Sequence, residues 1–352
     1  MMHREALKVL EPRFSWEEIE EARQNNRLLT AGLELTMKCN LNCIYCYAGA
    51  GEKLEDELNL PEILDVIDQA YDLGAHRIGI IGGGEPLEHE HFFEVVDYIH
   101  QKGISISLFT NATKITPQIA KRLFNHRVSI VMKMNSMMPE VQDKLAGAKG
   151  TYERIRQGLS SLEVAGYPDE KHRLVIESVI CKQNLEELPT IWQWARERGF
   201  IPFFERLTLQ GRAKEQDLEV SSEHLKQLFE NLLEIDEVRF GYTWRVQPPW
   251  TARMCDRHYY NCLITAQGNV QPCTGVNIVI GNIRHQSLEK ILKTSPVIRA
   301  LRYIDENIKG ACRECDFRPR CYGCRGQAYQ VTGDFLTADP CCWRNPARTK
   351  RL

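Results

Sequence analysis

The sequence predicts an α/β fold built on a parallel sheet, followed by a second, cysteine-rich domain. Over the first two thirds of the chain, short β-branched apolar runs alternate with amphipathic helical stretches, as expected of repeated β/α units. Several predicted helices end at a glycine, namely at Gly74, Gly103, Gly166 and Gly199. Beyond residue 253 the pattern changes to a loop-rich segment dense in cysteine.

Six strands are predicted in the alternating part. They span residues 29–36, 77–82, 105–110, 129–134, 173–180 and 201–209. Helices are predicted between them at residues 61–73, 91–101, 117–125, 152–165 and 185–198. A helix at 15–24, capped by Ser15, precedes the first strand, and a helical stretch at 221–236 follows the last.

The cysteine-rich part is predicted to follow a linker that contains Pro248 and Pro249. Within it we expect only short strand-like runs, such as 277–280, and one clear helix near 288–294. The chain therefore divides into an N-terminal helical extension (1–28), an α/β domain (29–240) and a cysteine-rich domain (241–352).

Composition excludes several classes of function. The 352 residues carry a net charge of -2, which gives no electrostatic footprint for nucleic acid. No window approaches 18 uninterrupted apolar residues, which predicts no membrane partner. The N-terminus lacks the apolar core of a secretory signal, so we expect a cytoplasmic protein.

Thirteen cysteines without a signal sequence favour metal ligation over disulfides. Three of them, Cys39, Cys43 and Cys46, form one group, and nine more lie between Cys255 and Cys342. Cys181 stands alone in an apolar run and is interpreted as a buried structural thiol.

The first cysteine group directly follows the first predicted strand. Three thiolates leave one metal position open, whereas structural zinc and electron-transfer iron–sulfur sites usually take four protein ligands. A zinc site with a distant fourth ligand is the alternative. The second strand runs into residues 82–86, GGGEP, and the third into Thr110 and Asn111. Singly these could be a turn and a helix cap, but together with the cysteines they predict a ligand site at the carboxyl ends of the strands.

The CX3CX2C motif with Tyr45 before its last cysteine, together with the GGEP motif, resembles the radical S-adenosylmethionine (SAM) superfamily over about residues 29–210. The resemblance implies a partial (β/α)6 TIM-like barrel in which the three cysteines hold a 4Fe-4S cluster that chelates SAM. It implies that Gly83, Gly84 and Glu85 contact the methionine amine, and Tyr45 packs near adenine. Thr110 and Asn111 are the remaining predicted cofactor-binding residues.

The same resemblance implies reductive cleavage of SAM to a 5'-deoxyadenosyl radical that abstracts hydrogen from the substrate. The protein's own part is to position SAM and substrate and to exclude water. An external electron donor of the flavodoxin or ferredoxin type is implied.

The C-terminal pattern, CX12GX4C followed by CX2CX5C, resembles the SPASM domain appended to many such enzymes. The resemblance implies two auxiliary 4Fe-4S clusters and three clusters in all. If Cys262 counts as the extra ligand, as in enzymes similar to anaerobic sulfatase maturases, the first would take Cys255, Cys262, Cys273 and Cys324. The second would take Cys312, Cys315, Cys321 and either Cys341 or Cys342. Only two residues separate Cys321 from Cys324, where three are common, which leaves open whether Cys324 crosses to the first cluster. A pair of structural zinc sites is the alternative.

Two further features are less specific. The segment QGRAK, residues 210–214, resembles a loop near SAM in related enzymes, although Arg212 could equally be a solvated residue. Polar residues at Lys133, Asn135, Glu177 and Glu205 could face the barrel mouth. No catalytic acid or base is assigned.

The predicted function is hydrogen abstraction from a peptide or protein substrate, as in maturases, with the auxiliary clusters accepting the substrate electron. One alternative is a small-molecule substrate such as a sugar alcohol or tetrapyrrole. Another is a noncatalytic iron–sulfur or zinc redox sensor. Only 38 residues precede Cys39, which are too few for a fused leader-peptide-binding domain. We therefore expect a peptide substrate to be recognised by a separate partner or by the edge of the cluster domain. A protein substrate could instead dock on the barrel mouth as an already folded protein.

Overall fold

The computed structural model describes residues 4–5, 14–247, 255–318 and 321–345. The predicted linker at Pro248 and Pro249 lies outside the described residues. A two-residue strand, β1 (Arg4–Glu5), and the predicted helix, α1 (Trp16–Gln24), precede the first long strand. Ser15 accepts a hydrogen bond from the backbone of Glu18, whose side chain bonds back to Ser15, so the predicted N-cap forms a complete capping box.

All six predicted strands are present, and the α/β fold class is confirmed. They are β2 (Thr30–Glu34), β3 (Arg77–Ile81), β4 (Ser105–Thr110), β5 (Ser129–Lys133), β6 (Leu174–Ile180) and β7 (Ile201–Arg206). Each pairs in parallel with the next. This sequential order, with helices in the crossovers, is that of a partial β/α barrel.

The crossover helices match the predicted amphipathic stretches, with one addition. They are α2 (Leu60–Asp72), α3 (Phe92–Gln101), α4 (Pro117–Asn125), α5 (Pro139–Ala146), α6 (Thr151–Ala165), α7 (Leu188–Glu197) and α8 (Ser222–Ile235). Helix α5 was not predicted, because it is only eight residues long and starts at a proline. A turn of π-helix, Asp236–Phe240, extends α8.

The cysteine-rich domain continues the barrel sheet, which the sequence did not predict. After the short strand β8 (Tyr242–Thr243), which pairs with β1, come β9 (Asn261–Ile264), β10 (Asn269–Gln271) and β11 (Gly281–Asn282). Strand β9 pairs in parallel with β2, so that the order of the nine-stranded sheet is β11-β10-β9-β2-β3-β4-β5-β6-β7.

The remaining helices are α9 (Leu288–Thr294), α10 (Pro296–Arg302), α11 (Ile304–Asn307) and α12 (Arg325–Thr332). The predicted helix at 288–294 is confirmed, but the expectation of a single helix here was wrong. The predicted strand-like run at 277–280 is irregular, because the ladder between β10 and β11 begins only at Gly281. Among the described residues no helix is long and apolar enough to cross a membrane.

The main core lies between the outer face of the sheet and the crossover helices. Leu33, Ile78, Ile80 and Leu108 of the central strands are at most 2% exposed there. On the inner face, the corresponding positions include Gly32, Gly79 and Ser107, which are small and line a cavity. Large residues outside and small ones inside leave space for a ligand within the barrel.

Candidate active site

The carboxyl ends of the barrel strands open into one cavity of about 370 Å³. Cys39, Cys43 and Cys46 line it, together with residues 82–85. Thr110 and Asn111 after β4 line it as well, so the predicted convergence of three strand ends is present. The cavity also reaches Cys273 of the cysteine-rich domain.

The glycines after β3 allow the cysteine loop, residues 37–51, to pack onto this strand end. A Cβ on Gly84 would lie 2.0 Å from the carbonyl oxygen of Lys38, and one on Gly83 would lie 2.7 Å from Sδ of Met37. The backbone N–H of Gly84 donates to the carbonyl of Thr36 at 2.7 Å. The glycines are therefore needed for loop packing, in addition to any contact with a ligand.

Glu85 is the acidic group of the cavity. Its carboxylate accepts hydrogen bonds from the hydroxyl of Thr110 (2.7 Å) and from the backbone N–H groups of Asn111 (2.8 Å) and Leu87 (3.2 Å). The residue is 2% exposed, and this burial raises the pKa of its carboxyl group to about 7 despite those bonds. A bound amino group would favour the ionised form, so Glu85 fits the amine of SAM. Thr110 and Asn111 hold Glu85 in place.

A second buried carboxylate, which the sequence analysis did not single out, lies under the triple glycine. Glu34 ends β2 and is 5% exposed, and burial raises its pKa to about 7. The hydroxyl of Tyr47 contacts Glu34 and donates to the carbonyl of Gly82. Tyr47 thereby ties the cysteine loop to the ends of β2 and β3.

The three thiols around this cavity match the donor set of an iron–sulfur cluster. Cys39, Cys43 and Cys46 lie on one loop and all line the cavity, as does Glu85. Three thiolates would leave one position of a four-iron cluster without a protein ligand, and that position could take a substrate or cofactor.

Tyr45 lines the cavity but is mostly enclosed by apolar residues. It is 9% exposed and packs with Leu145 and Val179. Its hydroxyl interacts electrostatically with the Cys43 thiol. The tyrosine therefore supports the second cysteine of the motif, besides offering its ring to the cavity.

The helix that sequence analysis missed and the QGRAK segment both hold the cysteine loop. At the end of α5, the carbonyl of Leu145 accepts a hydrogen bond from Ile44 at 3.0 Å. Arg212 donates to the carbonyls of Cys43 (2.9 Å) and Ala50 (2.8 Å), so it is not a solvated residue. Its backbone N–H donates to the carbonyl of Cys46 at 3.0 Å. Through these hydrogen bonds, Arg212 holds the loop of the three-cysteine motif in place.

Charged side chains line the cavity between the cysteine loop and Cys273. Lys133 lies 2.9 Å from a carboxylate oxygen of Glu177 and 3.8 Å from one of Glu205. Burial and the neighbouring Glu177 raise the pKa of Glu205 above its ordinary value. The structure thus places three of the four predicted polar residues in the cavity. Asn135 is instead structural, because it is fully buried and accepts a bond from the backbone of Val179 at 2.7 Å.

The remaining cysteines form two groups. Auxiliary group I consists of Cys255, Cys273 and Cys324, because the Cys255 thiol interacts electrostatically with those of both Cys273 and Cys324. Cys324 therefore lies with this group despite the shortened spacing that separates it from Cys321. The hydroxyl of Tyr322 lies 3.7 Å from the Cys255 sulfur.

Cys262, the conditional ligand of the first auxiliary cluster, lies apart from auxiliary group I. It lies in β9 opposite Ala31 and is fully buried in the main core. Its strand neighbours Asn261 and Leu263 line the cavity, so in an alternating strand Cys262 faces the other side of the sheet. Its thiol interacts electrostatically with Arg302.

Auxiliary group II consists of Cys312, Cys315, Cys321 and Cys342. The thiols of Cys312, Cys315 and Cys321 interact with one another, and that of Cys342 interacts with Cys312. The Cys341 thiol instead lies 3.8 Å from the side-chain oxygen of Gln327. The geometry therefore favours Cys342 as the fourth member.

Comparisons with known proteins agree with this arrangement. A family model described as the Radical SAM superfamily matches residues 33–195, and a SPASM model, described as an iron-sulfur cluster-binding domain, matches residues 255–316. The chain is 29% identical over 345 residues to the AdoMet-dependent heme synthase of Methanosarcina barkeri, covering 90% of this chain and 96% of that protein. It is 29% identical over 336 residues to the mycofactocin maturase MftC of Mycolicibacterium smegmatis, covering 90% and 84%.

Solved structures share the fold at lower identity. SuiB of Streptococcus suis bound to precursor peptide SuiA superposes with a TM-score of 0.72 at 16% identity, covering 95% of this chain and 79% of that one. The protein anSMEcpe with bound AdoMet and a Cp18Cys peptide gives a TM-score of 0.65 at 16% identity, covering 88% and 92%.

Proposed function

Since the chain belongs to the radical SAM superfamily and carries a C-terminal SPASM domain, we propose that it abstracts hydrogen from a peptide or protein substrate bound in the barrel cavity. The enzyme class and its cofactors, 4Fe-4S clusters and SAM, follow from the family. The observation that carries the proposal is the single cavity onto which Cys39, Cys43, Cys46, Glu85 and Cys273 all open.

Within this proposal each group has a defined task. Cys39, Cys43 and Cys46 would hold the cluster that binds SAM, and Glu85 would hold the SAM amine. When bound, these cofactors supply an electron and a 5'-deoxyadenosyl radical able to abstract hydrogen from the substrate. The residues around the cavity position the reactants, and the protein excludes water from them.

Two auxiliary clusters complete the proposal. Auxiliary group I would contribute three cysteines and auxiliary group II four, and we leave Cys262 and Cys341 out of the ligand set. Auxiliary group I borders the cavity through Cys273. A cluster there would be suitably placed to accept an electron from the substrate. An external donor of the flavodoxin or ferredoxin type would reduce the SAM-binding cluster.

A peptide or protein substrate is supported by the similarity to mycofactocin maturases and by the peptide-bound structures that share this fold. A separate partner would then present that substrate. A tetrapyrrole is the second candidate, because the similarity to a heme synthase extends over 96% of that protein. A cavity of about 370 Å³ would admit a side chain or one edge of a tetrapyrrole beside SAM.

The substrate class is tested by following 5'-deoxyadenosine in the anaerobically reconstituted enzyme with SAM and dithionite. Short synthetic peptides encoded beside this gene form one arm, and a metallated porphyrin carboxylic acid forms the other. We expect a peptide to raise the rate above substrate-free cleavage and to return with changed mass. Stimulation by the porphyrin alone would instead establish the second candidate.

A matched pair of variants tests the active cluster itself. Replacing Cys39, Cys43 and Cys46 together with alanine should abolish cleavage of SAM and leave about two thirds of the iron. Cys181→Ala removes a buried thiol that no ligand set includes, and should retain both. Persistent cleavage by the triple variant would show that the active cluster lies elsewhere.

A further inference from the structure

The end of β7 is joined to the C-terminal segment by a buried ion pair. The guanidinium of Arg206 lies 2.7 Å from the carboxylate of Asp339, and the two side chains are 3% and 0% exposed. Arg206 is the last residue of β7 and lines the cavity. Burying two charges is costly unless hydrogen bonds satisfy them fully, so the remaining contacts of this pair matter.

Asp339 contacts both auxiliary groups. One carboxylate oxygen accepts a hydrogen bond from the backbone N–H of Cys324 at 3.0 Å, in auxiliary group I. The other accepts from the backbone N–H of Cys341 at 2.9 Å, next to Cys342 of auxiliary group II. The backbone N–H of Asp339 itself lies 3.4 Å from the sulfur of Cys312. One residue therefore fixes the spacing between the two sets of thiols.

Arg206 has one donor that these contacts do not use. Its terminal nitrogens bond Asp339 and, at 3.0 Å, the carbonyl of Cys341. Its Nε is buried and has no hydrogen-bond partner among the described residues. Buried N–H groups are nearly always paired, so this donor is available to an acceptor. Besides Asp339, the guanidinium interacts electrostatically with the thiols of Cys324, Cys341 and Cys342.

We propose that Arg206 and Asp339 form a positioning pair that fixes the two auxiliary clusters relative to the barrel and sets the reduction potential of the cluster in auxiliary group I. The proposal rests on the function proposed above. Asp339 fixes the spacing, and Arg206 supplies positive charge and a buried Nε donor that would be free to bond a sulfur of the bound cluster. Both are means by which proteins tune iron–sulfur potentials.

The test compares Asp339→Asn with Asp236→Asn in the full-length reconstituted enzyme. Asp236 is the matched control, because it forms a second buried aspartate–arginine pair, 2.7 Å from Arg196. Its hydrogen-bond partners among the described residues are the side chains of Trp192, Arg196 and Trp244, and none is a cysteine. Both variants should lower thermal stability. The iron content per chain and the reduction potentials from an EPR-monitored redox titration are then measured. A merely structural role would lower stability without changing either quantity, whereas a positioning role would change at least one.

The Asp339→Asn substitution removes the negative charge that neutralises the Arg206 guanidinium. At separations on the order of 10 Å and an effective dielectric of about 20, one unit charge changes an equilibrium about tenfold. We therefore expect the ratio of reduced to oxidised auxiliary cluster at a fixed potential to rise about tenfold, or auxiliary iron to be lost. Asp236→Asn should retain wild-type iron and potentials.

A second variant, Arg206→Lys, keeps the charge but removes the Nε donor. It should alter the EPR signal and potential of the cluster in auxiliary group I. Wild-type iron and potentials in both Asp339→Asn and Arg206→Lys would overturn the proposal, as would equal changes in Asp236→Asn. Substrate-free SAM cleavage by the unmodified enzyme reports separately on the proposed function, which fails if that enzyme holds no auxiliary iron or cleaves no SAM.

Discussion

Replacing Gly84 with alanine adds one methyl group where the cysteine loop meets the end of β3. The added Cβ would lie 2.0 Å from the carbonyl oxygen of Lys38 and 2.7 Å from the carbonyl carbon of Met37. Both neighbours are backbone atoms, so no side-chain rotation can relieve the overlap. The loop that carries the three cysteines must move away from the strand.

The cost follows from the contacts that this movement breaks. The Gly84 N–H bond to Thr36 (2.7 Å) and the Glu85 N–H bond to Lys38 (2.9 Å) both cross the junction. Two hydrogen bonds at about 1 kcal/mol each, with overpacking of about 1–3 kcal/mol, give roughly 3–5 kcal/mol. This is a large part of the stability of an ordinary domain.

Chemical denaturation of the apoprotein measures this loss, and iron content with SAM cleavage measures its effect on the site. Gly51→Ala is the matched control, because Gly51 lies in the same loop and its added Cβ meets nothing within 4 Å. We expect Gly84→Ala to lower the free energy of unfolding and to impair SAM cleavage, and Gly51→Ala to change neither. A Gly84→Ala protein within about 1 kcal/mol of that control would refute the packing argument.

Two further predictions follow from burial and from the grouping of the thiols. Reconstituted Cys262→Ala and Cys341→Ala should keep the full complement of about twelve irons, whereas Cys273→Ala and Cys342→Ala should lose iron, and equal loss in all four would contradict the grouping. The Glu34 carboxyl, whose pKa burial raises from 4.5 to about 7, binds its proton more tightly in the folded state. The free energy of unfolding of the apoprotein should therefore fall by roughly 3 kcal/mol as the pH rises from about 4.5 to about 7. Urea titrations across this range should show a flatter profile for Glu34→Gln, and an unchanged profile would count against the buried carboxylate.

Local pattern was sufficient for most of the barrel and for the strand-end motifs. The six strands and their helices have regular apolar periodicity, and Glu85 could be placed because parallel strands end at the same edge of the sheet. The adjacent cysteines Cys341 and Cys342 could not be assigned from sequence in this way, because they share the same sequence neighbours. Only the folded chain separates them, by directing one towards Gln327 and the other towards Cys312.

Contacts between distant segments were not predictable from sequence. Strand β9 has four residues, too few for periodicity to reveal, and its partner β2 lies in the other domain. Arg212 was indistinguishable from a surface arginine until its carbonyl partners in the cysteine loop were known. Asp339 belongs to no recognisable sequence motif. Its proposed role depends on its contact with Arg206, which lies 133 residues earlier in the chain.

The pairing of β9 with β2 also affects how the chain is made. Thr30 and Asn261, which face each other across these strands, are 231 residues apart in sequence. During synthesis on the ribosome, β2 therefore keeps a free hydrogen-bonding edge until the cysteine-rich domain emerges, and contacts of such long range form slowly. A free strand edge invites pairing with other chains. Besides carrying the auxiliary thiols, the cysteine-rich domain thus covers a strand edge of the barrel that would otherwise be open to pairing with other chains.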